Sequence, residues 1–263
     1  MRALVLAMLV LTSGLHGGAA AAQGWTREAG EGLAITAVGL HRLDTEAGPD
    51  LLKTEYSLYL EYGLTDRITL IGRGALQEMR SGEITISLDP DAPSSIATPA
   101  YGLGGLEAGA RVRLARRGPW SFAVQGAAGL PGSGENGTNL HFGEGEGDID
   151  LRLQAGRSFG SRGFAAGSAG WRNRRGEPVD EVRLDLACGR RYGEVWIYLQ
   201  TYSVWSDGSA PGPIGRYSGH RAQISLAYPI SRRARIQFSG LTTVLSDGMA
   251  EERAFGIALW RKF

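Results

Sequence analysis

The chain predicts an all-β fold, a single transmembrane antiparallel up-and-down β-barrel of about 12 strands, and three observations carry that expectation. Beyond the N-terminal stretch, hydrophobicity arrives in segments of about ten residues with a period of two, as expected of strands with one face on lipid and the other on a lumen. Short and long connections then alternate strictly, the asymmetry of short periplasmic turns and long extracellular loops. Finally, an even number of strands returns both ends of the barrel to the periplasmic side.

Residues 1–22 have a basic start at Arg2, an apolar run from Ala3 to Leu11 and a small-residue stretch ending at Ala22. This reads as a signal peptide cleaved after Ala22, leaving residues 23–263 as the barrel. The apolar run falls well short of the roughly 20 residues needed to span a bilayer as a helix. Only about nine residues, Gln23 to Glu31, precede the first strand. That is too few for a folded plug domain, which needs about 50.

The first strand is expected over Gly32–Arg42. Lys53–Tyr62 then alternates cleanly, with Tyr56, Leu58, Leu60 and Tyr62 on one face and Lys53, Glu55, Ser57 and Glu61 on the other. The turn Gly63–Arg67 leads into Ile68–Gln77. A loop carrying Pro90, Pro93 and Pro99 separates this hairpin from Leu106–Ala115 and Trp120–Gly129, and a second loop leads to Asp148–Gly156. Phe164–Trp171 follows as a weak strand, then Val179–Gly189, Val195–Val204, Arg221–Tyr228 and Arg235–Val244. Glu251–Phe263 closes the series, with Phe255, Ile257, Leu259 and Phe263 on one face.

Aromatic residues fall at the strand ends. Tyr62, Trp120, Phe159, Tyr192, Tyr228 and Phe263 flank short turns or the terminus, and Tyr101, Trp171, Trp205 and Tyr217 sit near long loops. Two interfacial girdles give that distribution, whereas a soluble β-sandwich has no need of it. Arg157, Arg190 and Arg261 land on the lipid-facing side, each beside a periplasmic turn or the terminus, where an outward arginine costs only about 0–1 kcal/mol. Cys188 points outward too, and as the single cysteine of the sequence it cannot form an internal disulfide.

The inner face is the candidate site. It carries the acids Glu55, Glu61, Glu107, Asp148, Asp150, Glu181 and Asp185, mixed with Lys53, Arg67, Arg73, Arg111, Arg113, Arg152, Arg183, Arg221 and Arg235. Such a face is either a polar, slightly cationic lumen open to water and small solutes or one filled by its own cross-strand ion pairs. About twelve strands fall between the filled eight-stranded cylinder and the 16- to 18-stranded porin, so strand number leaves both open. The loops at 78–100 and 130–146 are candidate constrictions.

Chemistry beyond diffusion finds little footing. A formal charge of +1 gives no footprint for nucleic acid. Glu144, Glu146, Asp148 and Asp150 recur at period two but match no calcium-loop pattern, so neither metal nor cofactor is expected. His41, His141 and His220 are expected near the extracellular rim, where a Ser/His lipid hydrolase is the alternative reading. No G-x-S-x-G or H-E-x-x-H accompanies them, and no catalytic residue is assigned.

The terminal Ala258-Leu259-Trp260-Arg261-Lys262-Phe263, the turn Gly63-Leu64-Thr65-Asp66-Arg67 and the loop Pro131-Gly132-Ser133-Gly134-Glu135-Asn136 together resemble bacterial outer-membrane β-barrels, uncharacterised proteobacterial ones similar to the phenol-degradation (MetA-pathway) type. The resemblance implies residence in the outer membrane, among its lipid and lipopolysaccharide. It also implies that Phe263 serves as an assembly signal for the barrel-insertion machinery and that the last strand seals against the first. A passive channel for small solutes, hydrophobic or aromatic ones included, is the implied function. Arg261 stands where that signal carries a penultimate aromatic.

Overall fold

The computed structural model describes residues 24–44, 50–81, 99–130, 132, 147–175, 179–209 and 215–263. The expected signal peptide, residues 82–98 and 133–146 of the candidate constrictions, and His141, Glu144 and Glu146 lie outside the described residues.

Twelve strands are present: β1 (Gly32–Asp44), β2 (Leu51–Thr65), β3 (Ile68–Ser81), β4 (Ala100–Arg117), β5 (Trp120–Leu130), β6 (Asp148–Ser158), β7 (Gly163–Arg174), β8 (Glu181–Tyr192), β9 (Val195–Ser206), β10 (Ser218–Pro229), β11 (Ala234–Asp247) and β12 (Glu251–Lys262). Each pairs with its chain neighbours, and β12 closes on β1 to complete the barrel. The commonest strand length is 12 residues. At about 3.3 Å per residue and a tilt near 40°, such a strand rises about 30 Å, the thickness of a bilayer's hydrocarbon core.

The seam depends on a missing side chain. Gly32 N–H donates to Phe263 O at 2.8 Å and Phe263 N–H returns to Gly32 O at 3.1 Å. A Cβ on Gly32 would sit 2.2 Å from the Phe263 ring, so only glycine lets that ring lie across the start of β1. Register then runs without interruption from Leu33↔Lys262 to Asp44↔Glu251.

Alternation sorts the side chains as the sequence predicts. Leu58, Leu60, Leu151, Leu153, Leu199, Leu226, Phe255, Ile257 and Leu259 are all exposed on the outer surface. A continuous apolar exterior of this kind is stable only against lipid, and closure leaves no unpaired strand edge there. Tyr62, Trp120, Phe159, Tyr192, Tyr228 and Phe263 are exposed at the short-turn end, and Tyr101 and Trp171 at the other. Arg157 lies over Trp120 and Phe159 at 5.2 and 5.1 Å, and Arg190 over Tyr192 at 5.4 Å. Arg157 and Arg190 are thus held at the girdle by cation–π contact.

Tyr217 is not part of that girdle. It is 3% exposed and donates its phenol to Glu181 Oε1 at 2.8 Å on the inside of the barrel. A buried carboxylate with room for one more donor captures it, a contact that position beside a loop does not reveal.

Most strands run a few residues beyond their expected limits, and two of these extensions matter for the inner wall. β4 begins at Ala100 rather than Leu106, and a bulge opposite Ala75 and Leu76 absorbs its glycine-rich start. β7 continues past Trp171 to Arg174, which places Arg172 and Arg174 on the inner wall.

Candidate functional site

The inner wall carries two ion-pair clusters and a chain segment that crosses between walls. One cluster is built from β4 and from β6 to β8. Arg152 donates from Nε and Nη2 to both oxygens of Asp150 at 2.6 and 2.8 Å, and from Nη1 to Asp185 Oδ2 at 2.5 Å. Arg172 reaches Asp150 at 3.2 Å, Asp148 at 3.5 Å and Glu107 at 3.6 Å. Glu181, fully buried, accepts from Arg174 at 2.8 Å and from Arg183 at 2.6 Å, besides Tyr217.

The second cluster joins β1, β2 and β3 to β10 and β12. His41 Nδ1 lies 2.6 Å from Glu252 Oε1, and Arg221 contacts the other oxygen of Glu252 at 3.0 Å. Lys53 approaches Glu55 at 3.4 Å, and Gln77 donates to Glu55 at 2.9 Å. Taking such charges out of water costs several kcal/mol per ion, which only close partners offset. Between the clusters a gap of about 50 Å³ remains, bordered by Glu55, Arg73, Glu107, Asp148 and Arg172. Arg73 faces Glu107 directly in the β3–β4 register.

Lower down, toward the short turns, Glu61 gathers Arg27 at 2.6 Å, Arg111 at 3.0 Å and the Tyr59 phenol at 2.7 Å. Arg111 also donates to Gln125 at 3.0 Å and to the Trp25 carbonyl at 3.1 Å. Arg113 and Arg235 stand partly exposed on the same side, with no carboxylate within ion-pair distance among the described residues.

Residues 24–31 form a strap across this mouth. Gly30 and Glu31 exchange backbone hydrogen bonds with Gly63, and Arg27 is tied to Thr69 and Glu61. From there the chain crosses to the opposite wall, where the Trp25 ring meets Phe164 edge-on at 5.9 Å. Gly156 on β6 makes the space: a Cβ there would lie 2.5 Å from the indole. Eight residues bridge the barrel, because extended chain covers about 3.3 Å per residue.

The inner-face residues expected from the sequence have defined places except Arg67, which lies exposed in the β2–β3 turn because the strands end on either side of it, and five further participants were not among those expectations. Arg172, Arg174, Glu252 and Arg27 complete the ion-pair clusters, and His41, near the extracellular end of β1, is 3% exposed with its ring inside the barrel. The period-two signal for Arg172 and Arg174 was present in Trp171-Arg172-Asn173-Arg174. His220, at the start of β10, faces outward, with Nδ1 3.0 Å from Ser203 Oγ and its ring against Trp205 at 5.1 Å. Asp148 and Asp150 face arginines, and among the described residues no group of three or more His, Cys, Asp or Glu could hold a metal ion.

The inner wall is not polar throughout. Leu43, Leu51, Met79 and Ala100 form a buried apolar collar at the extracellular end of β1 to β4, and Val204 packs with Tyr217, Val179 and Met249 across from it. At the other end Leu33, Ile35, Ala258 and Trp260 cluster together.

No protein-family model and no curated relative matches the chain. Solved structures do share its fold. An outer membrane channel of Pseudomonas putida F1 superposes with a TM-score of 0.69 at 15% identity, covering 91% of this chain and 98% of its own. The NanC porin gives a TM-score of 0.60 at 7% identity, over 88% of this chain and 100% of that one. The CymD monoaromatic hydrocarbon channel gives 0.50 at 9% identity, over 90% and 89%. The fold is that of outer membrane channels and porins.

Proposed function

We propose that the protein is a passive outer-membrane channel for small solutes, hydrophobic and aromatic ones included. The observation that carries this reading is the lining of the barrel. Its interior is not packed with apolar side chains, as a purely structural cylinder could be, but is lined by charged side chains that leave a gap of about 50 Å³ between opposing walls. At about 30 Å³ per water, that gap has room for one or two water molecules. The apolar collar of Leu43, Leu51 and Met79 at the extracellular end favours entry of solutes with an apolar body. Likeness of fold to channels and porins supports the same reading.

The test is ion selectivity. Arg111 is buried on the inner wall beside Glu61, and reversal of its charge in Arg111→Glu shifts the zero-current potential of the barrel in a salt gradient toward cations. An unchanged potential in a folded, conducting variant removes Arg111 from the pathway.

The contact between His220 and Ser203 is the one observation that favours a lipid hydrolase instead. It lies on the lipid-facing side, but its second ring neighbour is Trp205 rather than an orienting carboxylate. Labelled phospholipid or lipopolysaccharide incubated with the folded barrel stays intact on the channel reading; hydrolysis abolished by Ser203→Ala establishes the enzyme.

A further inference from the structure

The strap divides the periplasmic mouth. Trp25 fills the part against β6 and β7, where Gly156 and Phe164 receive it. What remains is a crevice of about 220 Å³ walled by the inner faces of β1, β9, β11 and β12.

One side of this crevice is aromatic. The rings of Trp196 and Tyr198 are 5.8 Å apart and 8° from parallel, and Tyr198 and Trp260 are 6.2 Å apart and 5° from parallel. Three nearly parallel rings on non-adjacent strands β9 and β12 thus line up across the mouth. The Trp260 indole N–H has no hydrogen-bond partner among the described residues.

The other side is cationic. Arg27, Arg233, Arg235 and Lys262 border the crevice, and no aspartate or glutamate does. Arg27 is neutralised by Glu61 at 2.6 Å. Arg233, Arg235 and Lys262 have no carboxylate partner among the described residues, although Arg235 lies over the Trp196 ring at 6.0 Å. This sets the crevice apart from the ion-pair clusters of the lumen, where Glu61, Asp150, Glu181 and Glu252 each compensate the arginines around them.

Uncompensated guanidinium beside parallel π-faces suits one ligand chemistry. A planar ring stacks or packs edge-on against the indoles and the phenol, and a carboxylate on that ring accepts two parallel hydrogen bonds from a guanidinium. A volume equal to roughly seven water molecules, at about 30 Å³ each, holds one monocyclic ring with its charged substituent. We propose that this crevice is a binding site for small aromatic carboxylates. It rests on the channel reading and refines it: the site is a station at the periplasmic end of the pathway, which makes aromatic anions the preferred permeant class.

The experiment uses the folded barrel, residues 23–263, in detergent micelles, with benzoate as probe and tryptophan fluorescence and calorimetry as readouts. Cyclohexanecarboxylate supplies the charge without the π-system, benzyl alcohol the ring without the charge, and inorganic phosphate the anion that lipid headgroups share. Saturable benzoate binding, at least about tenfold tighter than any of the three, supports the site. Arg235→Gln weakens benzoate about tenfold, and Trp260→Leu does the same, with heat-modifiable electrophoretic migration confirming that each variant is folded. Absence of saturable benzoate binding, equal affinity for cyclohexanecarboxylate or phosphate, or unaltered binding by folded Arg235→Gln overturns the proposal. Binding is read without passage through the barrel, so the two readings fail separately. A conducting barrel that ignores benzoate sinks the site alone, while one that binds benzoate but never conducts sinks the channel and keeps the site.

Discussion

Trp25 and Phe164 meet edge-on, with centroids 5.9 Å apart and planes at 87°, although one residue leads into β1 and the other opens β7 on the far side of the barrel. The contact fixes the strap across the mouth, and its neighbours are all specific: Arg111 on the Trp25 carbonyl, Glu61 on Arg27 and a glycine where the indole lies. Removing the indole frees the space it fills. Trp25→Ala is expected to raise single-channel conductance, and Gly156→Leu, which expels the ring, to do likewise. Equal conductance in wild type and both variants shows that the strap does not narrow the pathway.

Glu181, like Glu61, is among the least replaceable of the inner acids. Three donors converge on it, from Arg174, Arg183 and Tyr217, and it has no exposed surface. Glu181→Gln removes the buried carboxylate that Arg174 and Arg183 share, which destabilises the barrel by about 3 kcal/mol. The check is urea unfolding in lipid vesicles. A change under about 1 kcal/mol, the value for an exposed pair, indicates that water already screens this cluster.

The outer surface makes a depth-dependent prediction. Leu199 lies mid-strand on the lipid face and Tyr192 at the girdle. Leu199→Arg costs about 2–4 kcal/mol and Tyr192→Arg about 0–1 kcal/mol. Similar costs at both positions in vesicle unfolding experiments contradict the placement of the bilayer.

Phe263 lies against the Cα of Gly32 and exchanges two backbone hydrogen bonds with it. Phe263→Ala is expected to lower the yield of folded barrel in outer membranes, and Gly32→Leu to lower it further by blocking closure. Wild-type yield from Phe263→Ala limits its contribution to packing at the seam.

Strand number, facing and direction were legible because lipid imposes a period of two on every strand, as in Tyr56, Leu58, Leu60 and Tyr62. β7 was underestimated because Ala165, Ala166 and Ala169 with their glycines give little hydrophobic contrast, and the polar Arg172 to Arg174 looks like loop. The strap was illegible for a different reason. Nothing in Gly24 to Glu31 is periodic, and the partners of Trp25 and Arg27, namely Gly156, Phe164, Arg111 and Glu61, are remote in sequence. The inner acids could be placed on a face from their spacing, but which arginine each would hold depends on contacts across the barrel, such as that of Glu252 with Arg221 on β10, which is not its neighbour in the sheet.

The most direct test of the channel itself is current through single copies of the refolded barrel in a planar bilayer, with a salt gradient to read ion preference. Discrete, steady steps with a preference for anions, set by the cationic mouth around Arg233, Arg235 and Lys262, are the predicted result. A barrel that inserts and stays folded yet carries no current contradicts it.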